Sequence, residues 1–106
     1  MKLLFKTNTP NKLKTSILTL IDEGDLKTWR IHEYDNEKYI KHTQQWGEKG
    51  VVEMKINNEE NLLEVRILAF KSTEENVEDF EGYYLGRFCE IIFVNFPNSF
   101  TSINKN

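Results

Sequence analysis

Apolar residues recur along this chain with two different periods. Leu13, Ile17, Leu20 and Ile21 fall at helical spacing. Thr9 and Pro10 stand before them, residue types that cap and open a helix, and Gly24 stands after them, where a left-handed residue closes one. Residues 2–7 read as a short strand. From Trp29 to Lys71 the apolar positions alternate with polar ones, and this period of two predicts strands at 28–34, 38–46, 51–57 and 62–71. Helical spacing then returns and predicts a long helix over 74–96. Ser72 or Thr73 would cap it, and Glu74, Glu75, Glu78, Asp79 and Glu81 would crowd its first turns, where the helix dipole favours negative charge. Pro97 cannot continue it. Val77, Phe80, Tyr84, Phe88, Ile91 and Ile92 make the stripe expected to lie on the sheet.

The order β-α-β-β-β-β-α predicts one α+β domain over residues 1–98, followed by a tail over 99–106. Its antiparallel sheet carries the long C-terminal helix and the N-terminal helix on one face. Charge specifies the register of the last hairpin. With Val52, Met54 and Ile56 facing the core against Ile67, Val65 and Leu63, the outward pairs become Lys55–Glu64 and Glu53–Arg66, opposite charges across the ladder. The first hairpin is expected to place Tyr34 opposite Tyr39 through a loop of Asp35, Asn36, Glu37 and Lys38. Trp29, Ile31, Ile40, His42 and Trp46 then share the core face, and Arg30, His32, Tyr34, Tyr39 and Lys41 the other.

Length and composition narrow the function. A chain of 106 residues holds one core, and 39% hydrophobic residues exclude disorder. The net charge of -3 disfavours a nucleic-acid binder held by bulk positive charge. A single cysteine makes neither an internal disulfide nor a paired-cysteine zinc motif, and the N-terminal residues show neither a signal peptide nor a membrane span. The cytoplasm is therefore the expected compartment.

Catalytic signals are weak. No nucleophile elbow, phosphate-binding loop, dinucleotide fingerprint or zinc-protease motif occurs, and no cofactor is implied. His32 and His42 fall on opposite sheet faces in the expected register, which argues against a shared metal and makes His42 a hydrogen-bonded core residue. Cys89 has no neighbouring base and reads as a small buried hydrophobe. Gly82, Gly86, Cys89 and Phe93 form a second stripe on the last helix, where the first helix is expected to pack closely, with a second copy of the chain as the alternative.

The outward sheet face is the strongest feature without a core role. Arg30, His32, Tyr34, Tyr39 and Lys41 gather there beside Val51, Leu62, Leu68 and Phe70. Aromatic and arginine side chains are typical of protein interfaces. The competing expectation is that the tail or the N-terminal strand folds across this face. An exposed face implies a non-enzymatic interaction module, immunity-like or inhibitor-like, with a protein partner or a second copy. The architecture resembles small standalone bacterial sheet-plus-helix proteins that act by binding. A second expectation is a small-molecule site lined by Trp29, His42, Trp46, Tyr84 and Phe88 between sheet and helix. A hydrolase using His32 or His42 is the third.

Overall fold

The computed structural model describes residues 1–106 and shows an α+β domain built on one six-stranded antiparallel sheet. In chain order the elements are β1 (Lys2–Lys6), α1 (Pro10–Asp22), β2 (Trp29–Tyr34), β3 (Glu37–His42), β4 (Gly50–Asn57), β5 (Leu62–Ala69), α2 (Glu81–Asn95) and β6 (Ser102–Lys105). Across the sheet the strands run β2-β3-β4-β5-β1-β6. Both helices cover the same face. Leu13, Ile17 and Ile21 of α1 and Tyr84, Leu85, Phe88, Ile91 and Ile92 of α2 join Phe5, Ile40, Val52, Met54, Leu63 and Val65 of the strands in a single core.

The β4–β5 hairpin has the register that its charges specify. Val52 faces Ile67, Met54 faces Val65, and the outward pairs are Glu53–Arg66 and Lys55–Glu64. Arg66 Nε donates to Glu53 Oε1 at 2.7 Å. Glu64 turns instead to Lys2 of β1, 3.2 Å away, and to Asn57, whose side-chain amide donates to it at 3.0 Å. These bonds, the one from Asn57 foremost, hold the Glu64 carboxyl below the usual carboxylate range.

The larger departures from the sequence reading are four, beside shifts of one or two residues at other strand ends. The β2–β3 hairpin closes through two residues, Asp35 and Asn36, both left-handed with φ of 52° and 64°, the geometry that matches strand twist and that Asp and Asn tolerate. Tyr34 therefore faces Glu37, and Tyr39 faces His32. The shift is two residues, so every side chain keeps its expected face. Strand β3 ends at His42 rather than at 46, because the chain folds back in a short 3₁₀ turn, Gln45–Glu48. Gly47 lies there so close to the His42 carbonyl that a Cβ would collide with its oxygen, a contact only glycine permits.

Helix α2 begins at Glu81, not at 74. Ser72 and Thr73 do not cap it: the Thr73 hydroxyl donates to the Lys49 carbonyl at 2.8 Å, and Glu75 pairs with Lys49 at 2.6 Å. The acidic segment is thereby docked to the entrance of β4, and a 3₁₀ turn, Val77–Asp79, leads into the helix. The tail, finally, neither hangs free nor crosses the sheet. Ser102–Lys105 adds a strand beside β1, with Phe5 opposite Ile103.

Candidate functional site

The outward face of the sheet carries no helix. Both helices lie on the other side, β1 pairs in the plane of the sheet with β5, and β6 extends that plane. Rows of side chains cross this bare face as the register dictates. Arg30 lies opposite Lys41, whose row continues through Val51 to Leu68; His32 lies opposite Tyr39, whose row continues through Glu53 to Arg66. Phe70, just past the end of β5, turns its ring toward this face. Lys41 Nζ stands 5.4 Å from its ring centroid and the His32 ring 5.6 Å away, so a cation and an imidazole clasp one aromatic ring. Arg30 and Tyr34 are exposed, Tyr34 by 70%, while His32, Tyr39 and Lys41 are half-buried. Val51 and Leu62, expected as part of an open patch, are buried among their neighbours on this face.

The core face answers the alternative sites. Trp29 packs edge-on to His42 with ring centroids 5.1 Å apart, and Tyr84 lies 6.0 Å from Trp29 and 6.2 Å from Trp46. Phe88 meets Phe5 at 5.9 Å. These rings touch one another and fill the space between the sheet and α2, so the expected aromatic-lined cavity is instead packed core. Trp29 and Trp46 lie on the same side of the sheet. His42 is buried there, its Nδ1 2.8 Å from the Gln44 carbonyl oxygen, and His32 lies on the opposite face. No three His, Cys, Asp or Glu side chains converge as a metal site.

The second stripe of α2 is not a helix–helix contact. A Cβ added to Gly82 or Gly86 would meet nothing within 4 Å, and Phe93 is exposed. The reason lies in placement: α1 packs over β2, β4 and β5, and leaves the outer side of α2 uncovered. Beside the two glycines, Tyr83 stacks on Trp46 at 5.9 Å with planes 8° apart, above an open depression of about 480 Å³. Cys89 is half-buried, and burial pushes its thiol up, away from the thiolate a nucleophile needs.

One feature near the Tyr/Arg/Lys face has no counterpart in the sequence patterns. Strands β3 and β4 pair only through Ile40 and Val52. On one side of that pair the register sets His42 opposite Gly50, and the Tyr84 hydroxyl stands between them. It accepts the His42 backbone N–H at 3.1 Å and donates to the Gly50 carbonyl at 2.8 Å. Burial pushes this hydroxyl up to about 12 despite the opposing effect of the His42 bond, so it remains a neutral bridge through the neutral range. On the other side the strands part around a cleft of about 450 Å³. Tyr34, Glu37 and Tyr39 line one wall, and Glu53 to Ile56 the other. Lys14 of α1 reaches from the helical layer to Glu37, 2.9 Å away.

Comparison of the chain with protein-family models, with curated proteins and with solved structures finds no match. No helix is long and apolar enough to cross a membrane.

Proposed function

We propose that this protein is a non-enzymatic interaction module, immunity-like or inhibitor-like, that recognises a protein partner through the uncovered sheet face bearing Arg30, His32, Tyr34, Tyr39 and Lys41. The observation that carries this reading is the one-sided architecture. Six strands present a face with no helix or tail over it, and that face combines the exposed Tyr34 and Arg30 with the half-buried Lys41–Phe70–His32 cluster. In protein interfaces aromatic groups supply contact area and charges favour orientation and association rate, which supports this reading.

The test is capture of a partner from the native lysate by the tagged protein, with light scattering to give the mass of the free chain. Reversing both charges, Arg30→Glu with Lys41→Glu, is expected to abolish capture while circular dichroism stays unchanged. A monomer that captures nothing, or a partner retained equally by the doubly reversed variant, overturns the reading.

A further inference from the structure

We propose that the gap between β3 and β4 is a cleft for an extended segment of the partner, which pairs as a short strand with the free backbone of β4 and sets an acidic side chain against Lys55. This inference rests on the protein-recognition reading and names the kind of chain that the face would receive.

Successive residues of a strand turn their N–H and C=O groups to alternate sides. The Gly50 carbonyl points toward β3, where Tyr84 meets it, and the Lys49 carbonyl points the other way, accepting the Phe70 N–H at 2.9 Å. The even residues of β4 therefore aim their polar groups at the seam. Val52 uses its groups in the single pair with Ile40, and Met54 and Ile56 aim theirs at the gap with no pair in β3, Met54 from a buried position and Ile56 from a half-buried one. By the same alternation Lys38 faces the gap from β3. Continuing the register shows three opposed pairs unmade, Tyr39 with Glu53, Lys38 with Met54 and Glu37 with Lys55, a gap long enough for a segment of about three residues. The cleft also runs through the sheet rather than lying on it, since its lining takes Met54 and Ile56 from the core face and Glu53 and Lys55 from the outer one.

The charges around the cleft are nearly balanced. Most ionic groups around the cleft are already matched: Lys14 holds Glu37 at 2.9 Å, and Arg66 holds Glu53 at 2.7 Å. Two have no ionic partner, Asp35 in the β2–β3 turn and, among the cations, Lys55. Its cross-strand neighbour Glu64 is drawn to Lys2 and Asn57, and no carboxylate lies within 4 Å of the Lys55 ammonium. A carboxylate from an incoming segment would complete this set, with Tyr34 and Tyr39 as aromatic walls on the facing side. In strand addition the main-chain bonds give affinity and the alternate side chains give selectivity, and both parts are present here.

The experiment selects a random short-peptide display library against the folded full chain and titrates the enriched synthetic peptides into ¹⁵N-labelled protein. The expected winners carry an acidic residue, shift the amides of residues 37–39 and 53–56, and slow hydrogen exchange at Met54 and Ile56. In the exposed-site variant Lys55→Glu their affinity is expected to fall at least about tenfold, and peptides with the acid changed to lysine are expected to regain it. No enriched peptide, or peptides whose shifts stay on Arg30, His32 and Lys41, overturns the cleft proposal and leaves the broader face intact. Peptides that fill the cleft while the Arg30/Lys41 reversal leaves lysate capture unchanged sustain the cleft and remove the face.

Discussion

The two seams that flank β4 are made of the same material and held in opposite ways. On one side eight residue pairs join β4 to β5, and the two charged pairs on the outer face, Glu53–Arg66 and Lys55–Glu64, are of opposite sign. On the other side one pair joins β4 to β3, with a helix tyrosine inserted at one end and a cleft at the other. The first seam is local: the strands are consecutive, and a four-residue turn brings them together. In the second, the deciding group comes from Tyr84, 42 positions from His42 in the chain. A sheet can thus be welded along one edge of a strand and only pinned along the other, and the pinned edge is where backbone is left for a visitor.

Substitutions break this contrast in a graded order. The largest effect is expected in the welded half. Leu63 is fully buried beneath it, and Leu63→Ala is expected to lower unfolding free energy by about 2–5 kcal/mol in urea titration, with all probes moving together. Tyr84→Phe keeps the ring and removes the pin. It leaves the His42 N–H and the Gly50 carbonyl without their bridge and is expected to cost about 1–3 kcal/mol. Its signature is local: hydrogen exchange at the His42 amide should accelerate far more than exchange in β5.

Acidity and alkalinity separate the seams without mutation. The Tyr84 pKa is raised to about 12 in the fold, so the stability it supports is fully present below the ordinary tyrosine value near 10 and is lost as pH rises through 12. Glu64 on the welded side is shifted the other way. Its contribution is present above the ordinary carboxylate range and is lost as pH falls through its lowered value. Alkaline titration followed by tyrosinate absorbance and tryptophan fluorescence is expected to loosen the Tyr84 side first, and Tyr84→Phe should erase that transition. The smallest effect belongs to Glu53→Gln, which weakens one partly exposed ion pair with Arg66 and is expected to cost about 0.2–1 kcal/mol, less in high salt.

Much of the fold was legible because it is written in short-range pattern. Glu53, Lys55, Glu64 and Arg66 specify a register by themselves. The faces of the β2–β3 hairpin survive a two-residue error in its loop because the side-chain period is also two. The start of α2 departs from the pattern because Ser72, Thr73 and Glu75 resemble a helix entrance in sequence, yet Thr73 and Glu75 bond to Lys49, a residue more than twenty positions earlier. Strand β6 was missed for a related reason: four residues of mixed polarity become a strand only because β1 lies beside them. Gly82 and Gly86 looked like a packing motif, but spacing cannot tell which helix, if any, stands opposite. Of the candidate site, the composition of the outer face could be read from alternation, whereas the cleft depends on two strands failing to pair, which no local pattern records.

The two borders of the sheet complete the picture. Strand β2 ends the array with Glu33 turned toward the helix side opposite Lys38, a charge on the inner surface that discourages another ribbon from aligning there. The far border is a strand of only four residues. Selvedges guarded in this way disfavour outward growth into fibres, so unpaired main chain is carried at least risk within the weave itself.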